Sequence, residues 1–463
     1  MAFVIAPSVA HAGLAGTRPN IVLIITDDQS LDAIQYMPYV KSQLDANKYI
    51  NFTSAETNNP LCCPARASIF TGQVDTRTGV LDNGDAARFR ASETFAVPLH
   101  NAGYRTGLFG KALNGYNGRA WPGWDDFQAL VGQNMYSQYN YTLSENGALL
   151  TYGSESADYL GDVIRDRALQ FITDTPSTKP LMLYVAPTST HSPYVAPPRY
   201  QNFYSSATFT LPASWNEADV SDKPAWVQQL PLVKKGGSVG QRRQQYAAGM
   251  PVDEMIQAID AELAATGRLN NTVEIILSDN GLSQGLHRWP SKICELGSCQ
   301  SVPMLVRYPG QAGRTDTRLV SNTDIAPTLA ALAGTSLQAP ADGINLVPIL
   351  ENRSGTIPGR SGILQHWPGG NDHGLYPING APTPGFYGYR TAGWRYVEVT
   401  NLAVQGNTEY ELYDQINDPM ELVNQANNPA YSRTRSDMQA AMYAAIRATG
   451  ATPGVPVGQW QPR

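Results

Sequence analysis

Two apolar runs in the sequence each end directly before a group of polar residues. Residues 21–26 form a continuous run rich in β-branched side chains, and Asp27 and Asp28 follow it. Residues 273–277 form a similar run, which residues 278–281 (Ser-Asp-Asn-Gly) follow. Continuous runs of this composition predict strands that are buried on both faces of a parallel sheet. The polar residues therefore mark the carboxyl ends of two such strands.

Two further runs share this arrangement. Residues 181–186 lead to a segment that ends at His191, and the weaker run 106–109 leads to Gly110 and Lys111. In open sheets of parallel strands, ligands bind beyond the carboxyl ends of the strands. We therefore expect the four polar groups to share one site.

Helical patterns lie between these strands. The clearest one ends at Gly267, a residue suited to terminating a helix. Its apolar stripe has helical spacing and consists of Val252, Met255, Ile256, Ile259 and Leu263. Strands that alternate with helices predict an α/β fold with a mostly parallel sheet covered on both faces. With 463 residues, the chain can form two domains or one large α/β domain with an appendage.

The acidic residues that follow two of the strands predict a cation site. Asp27 and Asp28 are adjacent, and Asp279 would approach them from a second strand. Two carboxylates about 4 Å apart repel by roughly 4 kcal/mol at an effective dielectric constant of 20, so a group of three requires a cation. Carboxylate oxygens and the amide oxygen of Asn280 suit Ca²⁺ or Mg²⁺ better than zinc.

A cysteine lies at the predicted N-terminus of a helix between Leu61 and Gly72. Pro64 suits the first turn of a helix, and Gly72 suits its end. Backbone N–H groups at a helix N-terminus favour an anion. Cys62 would lie at this terminus, and Arg66, about one turn further on, would reach the same anion.

Residues 62–66 (Cys-Cys-Pro-Ala-Arg) resemble the Cys-x-Pro-Ser/Ala-Arg signature of the formylglycine-dependent (type I) sulfatases. Further stretches resemble motifs of that family in the same order: residues 19–28, 71–72, 103–111 and 278–281, Lys292, residues 324–329 and residues 411–419. The resemblance covers most of the chain. It implies an alkaline-phosphatase-like mixed sheet covered by helices on both faces, followed by a small C-terminal domain with an antiparallel sheet.

The resemblance also implies a modified residue and a metal. The formylglycine-generating enzyme would oxidise Cys62 to formylglycine, whose hydrate attacks the sulfur of a sulfate ester. A divalent cation would lie against this residue, Ca²⁺ or alternatively Mg²⁺. Its ligands would be Asp27, Asp28, Asp279, Asn280 and an oxygen of residue 62.

Four more residues receive catalytic roles from the resemblance. Arg66 would hold the hydrated aldehyde. Lys111 and Lys292 would neutralise the sulfate oxygens. His191 would lie near the ester oxygen, where it or Lys292 donates a proton to the departing alcohol.

The chain departs from the family pattern after the first lysine. Many members carry histidine two residues later, whereas this chain reads Lys111-Ala112-Leu113-Asn114. The form with Leu-Asn is similar to that of the N-acetylglucosamine-6-sulfatase branch. Asn114 can orient the substrate or the hydrate but cannot act as a base, and His287 is the alternative source of that function.

Two loop regions receive more general predictions. The tyrosines at positions 136, 139 and 141 can stack on a sugar ring, but we expect them in an exposed loop. Residues 201–245 form a polar insertion that predicts a lid or a surface loop.

The ends of the chain divide it into three segments. Residues 1–16 contain a short apolar stretch that ends in Ala-His-Ala. This pattern predicts the remnant of a signal peptide or else a disordered tail. We expect a catalytic domain at 17–350 and a small C-terminal α+β domain at 351–463. Export would place the protein outside the cell or in the periplasm. There, Cys294 and Cys299 can form a disulfide.

Composition narrows the function. The formal charge of −6, without a block of like charge, argues against a nucleic-acid binder. No apolar run reaches the roughly 20 residues that a membrane span needs. The resemblance implies a hydrolase of aryl or carbohydrate sulfate esters, whose partner is a sulfated small molecule or saccharide. The alternatives are a phosphonate monoester or phosphodiester hydrolase of the same superfamily and a non-catalytic sugar-binding protein.

Overall fold

The computed structural model describes residues 18–132, 134–353, 360–370, 383–400 and 408–451. The predicted signal-peptide remnant at residues 1–16 lies outside the described residues. The division into domains at 17–350 and 351–463 stays a prediction.

The described residues contain sixteen strands. In chain order they are β1 (Asn20–Thr26), β2 (Ile50–Phe52), β3 (Ala55–Glu56), β4 (Arg105–Gly110), β5 (Asp126–Val131), β6 (Thr142–Glu145), β7 (Ala148–Thr151), β8 (Leu181–Ala186), β9 (Thr272–Ser278), β10 (Met304–Arg307), β11 (Arg314–Asp316), β12 (Val320–Ser321), β13 (Ile363–Trp367), β14 (Phe386–Arg390), β15 (Trp394–Thr400) and β16 (Thr408–Asp414).

The same described ranges contain eleven α-helices. They are α1 (Pro38–Asp45), α2 (Cys62–Thr71), α3 (Asp75–Thr78), α4 (Ala96–Asn101), α5 (Leu160–Asp174), α6 (Ala225–Gln228), α7 (Lys235–Ala265), α8 (Gly297–Gln300), α9 (Ile325–Leu332), α10 (Val347–Leu350) and α11 (Ser432–Ala448).

Ten of the strands form one large mixed sheet. Their spatial order is β11-β2-β10-β9-β1-β8-β4-β5-β6-β7. The central strands β9, β1, β8, β4 and β5 run parallel, as the sequence predicts. Antiparallel pairs, β10 with β9 on one side and β6 with β5 on the other, make the sheet mixed.

Alternate residues of β1 pack on opposite faces of this sheet. Ile21, Leu23 and Ile25 belong to an apolar cluster that includes side chains of α2 and α9. Val22 and Ile24 belong to a second cluster, which includes side chains of α5 and α7. This double burial explains why the run at 21–26 is apolar throughout rather than alternating, and it confirms the prediction of helices on both faces.

A smaller antiparallel sheet follows, with the order β13-β14-β15-β16. Helix α11 packs on it through Met438, Met442 and Ile446. This confirms the predicted small antiparallel sheet near the C-terminus of the chain.

Two local features complete the comparison with the sequence. Helix α7 begins at Lys235, so the prediction of a loop throughout 201–245 is wrong for the last eleven residues. These residues extend the helix whose apolar stripe the sequence revealed. Cys294 and Cys299 form a disulfide, as their spacing allowed.

Candidate active site

The register of β1 and β9 brings their acidic residues together. Thr26 pairs with Ser278 at the carboxyl ends of the two parallel strands. The residues that follow are therefore neighbours, and the backbone N–H of Asp28 donates to Asp279 Oδ1 at 3.1 Å. The side chain of Asp27 is fully buried, and that of Asp28 is 7% exposed.

Gly110 brings Lys111 into the same site. It pairs with Ala186 across β4 and β8 and has a φ of +111°. A Cβ atom at position 110 would lie 2.2 Å from the carbonyl oxygen of Ala186, so only glycine allows this approach. Lys111 follows, and its buried Nζ lies 2.7 Å from Asp27 Oδ2.

Helix α2 begins at Cys62 and ends before Gly72, which has a left-handed conformation. The thiol of Cys62 is fully buried. Its Sγ lies 3.5 Å from Asp27 Oδ1 and 3.7 Å from Asp28 Oδ1, and it accepts a hydrogen bond from Lys292 Nζ at 2.9 Å. The signature cysteine and the acidic residues therefore meet at one point.

Arg66, one turn further along α2, connects three of these residues. Its Nε donates to Asp279 Oδ2 at 2.8 Å, and its Nη1 donates to the backbone oxygen of Lys111 at 3.1 Å. Its Nη2 lies 3.6 Å from Asp27 Oδ2 and has no hydrogen-bond partner among the described residues. One edge of a buried guanidinium thus remains able to donate.

Charge pairing keeps the acidic residues ionised. Burial alone would raise the pKa of Asp27, but Lys111 and Arg66 outweigh it, so the pKa lies below its ordinary value. The pKa of Asp28 is lowered in the same way, because Lys292 and His191 outweigh burial. For Cys62, burial outweighs the nearby lysines and raises the pKa of the thiol well above its ordinary value.

The donor atoms fit a hard divalent cation. Ligand atoms of Asp27, Asp28, Cys62 and His191 all lie within 4.8 Å of one another. Asn280 Nδ2 donates to Asp28 Oδ1 at 2.8 Å, while its Oδ1 is buried and has no hydrogen-bond partner in the described chain. Carboxylate oxygens and a buried amide oxygen are ligand types that Ca²⁺ and Mg²⁺ prefer.

His191 and Lys292 lie on the other side of the thiol. His191 Nδ1 lies 2.6 Å from the backbone oxygen of Ser192, a contact in which the ring nitrogen carries the proton. Its Nε2 then faces Lys292 Nζ at 3.4 Å and Asp28 Oδ2 at 3.3 Å. Burial lowers the pKa of His191, although Asp28 opposes this.

Asn114 and His287, the two residues considered in connection with the missing histidine, lie in different places. Asn114 lies beside Lys111, and its Nδ2 donates to Tyr136 Oη at 2.9 Å. His287 is buried, and its Nδ1 lies 2.7 Å from Glu217 Oε2. Its described contact is thus with the insertion rather than with the thiol of Cys62.

Sequence reasoning missed Tyr136. We expected an exposed loop, but this residue is half-buried, and its ring stacks on that of His191 with centroids 3.8 Å apart. Its hydroxyl also accepts a hydrogen bond from Lys111 Nζ at 3.1 Å. No local motif announces this, because Tyr136 comes from a short 3₁₀ turn far from the strand ends that it contacts.

Comparison with known families identifies the class of protein. A family model described as Sulfatase matches residues 19–335. The chain belongs to the sulfatase family. A second model, described as the C-terminal part of N-sulphoglucosamine sulphohydrolase, matches residues 285–448. Membership confirms the expectation of a sulfuric ester hydrolase.

Two relatives show how far this sulfatase extends along known proteins. Human N-acetylglucosamine-6-sulfatase is 32% identical over 397 residues, which cover 80% of this chain and 71% of the human protein. An extracellular sulfatase SULF-1 homologue of Drosophila melanogaster is 31% identical over 373 residues, or 76% of this chain. The matched region is only 32% of that fly protein.

Solved structures confirm the alkaline-phosphatase-like fold. One is a protein in complex with its substrate D-glucosamine-2-N,6-O-disulfate, with a TM-score of 0.80 at 23% identity over 96% of this sulfatase and 100% of that chain. Another is the phosphonate monoester hydrolase of Agrobacterium radiobacter, with a TM-score of 0.73 at 21% identity over 93% and 96%. No helix among the described residues is both long and apolar enough to span a bilayer.

Proposed function

We propose that this sulfatase hydrolyses an O-sulfate ester on a sugar, with residue 62 acting after its conversion to formylglycine. The observation that carries the proposal is the convergence on Cys62 Sγ of Lys292 at 2.9 Å and of two carboxylates within 3.7 Å. A buried thiol with a raised pKa is a poor nucleophile in itself. The surrounding charges make sense if the residue carries oxygen atoms instead.

The residues of the chain divide the chemistry among them. Hydrated formylglycine at position 62 would supply the attacking hydroxyl. Its second hydroxyl would then lose its proton and expel sulfate, which would restore the aldehyde. The unpartnered Nη2 of Arg66 is placed to hold the hydrate. Lys111 and Lys292 neutralise the sulfate oxygens, and such preorganised charge is commonly the largest contribution to catalysis.

A proton must also reach the departing alcohol. Lys292 Nζ lies 3.4 Å from His191 Nε2, so the two groups form a pair that can pass a proton between them. Lys292 carries the proton, because Asp28 outweighs burial and holds the pKa of the ammonium above its ordinary value. We assign the donation to this pair.

The implied cation would be Ca²⁺, with Mg²⁺ as the alternative. Asp27, Asp28, Asp279 and Asn280 would hold it, and the buried Oδ1 of Asn280 supports this assignment. When bound, the cation acts as a Lewis acid that stabilises negative charge near residue 62. Maturation also requires a formylglycine-generating enzyme as a partner.

The names of the relatives support a carbohydrate substrate. The human relative is an N-acetylglucosamine-6-sulfatase, and one structural neighbour was solved with D-glucosamine-2-N,6-O-disulfate. We therefore propose a 6-O-sulfated glucosamine unit as the substrate class. Export of the protein, to the cell exterior or the periplasm, is consistent with the Cys294–Cys299 disulfide.

The phosphonate monoester hydrolase of the same fold marks the second candidate function. Two buried lysines beside the thiol favour a sulfate ester over a phosphodiester in our proposal. A non-catalytic sugar-binding role does not explain the buried charges around Cys62.

The decisive experiment joins a mass measurement with two assays. The protein is produced together with a formylglycine-generating enzyme, and the peptide that spans Cys62 is analysed by mass spectrometry. We expect the mass of the aldehyde, together with release of sulfate from N-acetylglucosamine 6-sulfate. The matched variant Cys62→Ser should release none, since it is not a substrate for this oxidation. Faster hydrolysis of a phosphodiester than of the sulfate ester would contradict the proposal.

A further inference from the structure

Tyr136 contacts residues on two sides of the candidate active site, Lys111 and His191. Its ring lies parallel to that of His191, with an angle of 12° between the planes. Its Oη accepts hydrogen bonds from Lys111 Nζ at 3.1 Å and from Asn114 Nδ2 at 2.9 Å. The tyrosine therefore contacts Lys111 through its hydroxyl and His191, the neighbour of Lys292, through its ring.

In both of these hydrogen bonds the hydroxyl oxygen is the acceptor, so its own O–H donor is unused. A tyrosine hydroxyl has one O–H donor besides the lone pairs that accept. Lys111 and Asn114 both donate to the oxygen, so the O–H bond must point elsewhere. Among the described residues, no protein acceptor lies at hydrogen-bonding distance from it.

The place into which this proton points is electrostatically part of the site. Tyr136 is close enough to Cys62, Asp27 and Lys292 to interact with the charge of each. Lys292 contacts Cys62 Sγ directly, and Lys111 contacts Asp27, whose other carboxylate oxygen lies 3.5 Å from the same sulfur. An anion held between the lysines would present oxygen atoms to a third donor.

We propose that the Tyr136 hydroxyl donates a hydrogen bond to an oxygen of the substrate's sulfate group, as a third donor beside Lys111 and Lys292. The inference rests on the proposed sulfatase activity. It gives the chain, which lacks the family's histidine two residues after Lys111, a further substrate-binding residue in contact with Lys111. Asn114 acts through Tyr136. Its amide donates to one lone pair of the tyrosine oxygen, so the O–H bond points away from both Asn114 and Lys111.

The variant Tyr136→Phe tests the hydroxyl alone. Phenylalanine keeps the ring that stacks on His191 and removes the hydroxyl, both its O–H donor and the oxygen that accepts from Lys111 and Asn114. A hydrogen bond to a charged group accounts for roughly 10- to 100-fold in binding. We expect inorganic sulfate to bind the mature variant about 10- to 100-fold more weakly in calorimetry, with a similar fall in kcat/KM for the sulfate ester.

Tyr139→Phe is the matched control. Tyr139 lies three residues further on, and its ring contacts Tyr159 instead of the site. We expect this control to bind sulfate and to turn over like the wild type. The control should also unfold at the temperature of the wild type, since it keeps its ring packing.

A second variant separates donation from packing. Tyr136→Leu removes the ring as well as the hydroxyl. If Tyr136 served only to pack on His191, Phe would behave as wild type and only Leu would be impaired, which overturns the inference. A wild-type protein that carries formylglycine but releases no sulfate from any sulfate ester would instead overturn the proposed function, and the inference with it.

Discussion

Two arginines of the described chain are completely buried, Arg66 beside Cys62 and Arg395 on β15 of the C-terminal sheet. Each lies among carboxylates, so composition alone does not separate them. Arg66 donates through Nε and Nη1, and its Nη2 has no hydrogen-bond partner in the described chain. All three nitrogens of Arg395 are used.

The partners of Arg395 come from distant parts of the sequence. Its Nε donates to Glu421 Oε1 at 2.6 Å and its Nη1 to Gln365 Oε1 at 2.5 Å. Its Nη2 donates to both carboxylate oxygens of Glu56 at 3.1 Å. Since Glu56 belongs to β3, this group, here called the Arg395 network, ties the C-terminal sheet to the rest of the chain.

The difference teaches how to distinguish a reactive buried charge from a structural one. Burying a charge is costly unless it is paired and hydrogen-bonded. The Arg395 network meets that requirement with protein atoms alone. Around Cys62, buried donor and acceptor atoms are left over, namely Nη2 of Arg66 and Oδ1 of Asn280. Unpartnered buried atoms of the described chain also occur beside the Arg395 network, at Nε and Nη1 of Arg390. They therefore indicate a site that a ligand completes only where, as around Cys62, they accompany the signature residues of the family.

The largest effect should come from breaking the Arg395 network. Arg395→Met leaves Glu56 and Glu421 buried without their common cation, and loss of one buried partner costs about 3–5 kcal/mol. We expect urea unfolding to show a decrease of this size, while kcat per folded molecule stays within a few-fold of the wild type. Arg433→Met is the control. Its ion pair with Asp437 is exposed, and the change should stay within about 0.5 kcal/mol.

The opposite behaviour is expected at Lys292. Lys292→Ala removes a donor aimed at the reacting group, and loss of one such donor lowers kcat by roughly 10²–10³-fold. The measurement is the steady-state rate of sulfate release by protein with confirmed formylglycine. Lys41→Ala, which loses only an exposed ion pair with Asp45, should keep the wild-type rate. A Lys292 variant within a few-fold of wild type would remove this residue from the mechanism.

The sequence predicted the central strands and the site that they carry for one physical reason. Strands buried on both faces are apolar throughout, so the first polar residue after each run marks a strand end. These strand ends alone predict that Asp27, Lys111, His191 and Asp279 lie at one edge of the sheet. The residues that depend on chain geometry between strands could not be found this way. Tyr136 reaches the site from a turn, and its spacing from Lys111 has no period.

The Arg395 network was invisible in the sequence for a related reason. Glu56, Gln365 and Glu421 lie on segments without a common motif. Only the packing of the C-terminal sheet against β3, which pairs with β12 in a separate two-stranded sheet, brings them together. The first eleven residues of α7 were likewise missed, because Lys-Lys-Gly-Gly and Arg-Arg look like a surface loop when taken alone. The helical propensity of these residues is weak, but they form helix because they continue the helix that the apolar stripe further along the chain holds in place.

A pair of carboxyl groups beside the Arg395 network should make stability depend on pH. Burial raises the pKa of Glu295 to about 7, and burial together with Glu295 raises that of Glu411 well above its ordinary value. Their protonated forms therefore favour the folded state. This contribution is fully present below about pH 4.5 and is lost as pH rises through 7.

The loss can be measured as the free energy of unfolding between pH 5 and pH 7.5. A shift of this size corresponds to roughly 2–3 kcal/mol for Glu295. The variant Glu295→Gln keeps an acceptor for Trp226 Nε1, which donates to Glu295 Oε1 at 3.0 Å. It should show a flatter profile than the wild type. An equally steep decline in both proteins would assign the pH dependence to other groups.

The smallest expected effect concerns the cation at the Cys62 site, and it bears most directly on why buried atoms are left over there. A ligand that binds only the folded state stabilises it by RT ln(1 + [L]/Kd), or about 1.4 kcal/mol at ten times Kd. We expect Ca²⁺ added after chelation to raise the free energy of unfolding by this amount. Asp279→Asn should abolish the increment whatever its own baseline, because the site loses one of three negative charges. Asp45→Asn, an exposed acidic position on α1, should keep the increment in full. If Asp279→Asn responds to Ca²⁺ and Mg²⁺ as strongly as the wild type, the cation is bound elsewhere, and the unpartnered oxygen of Asn280 has another cause.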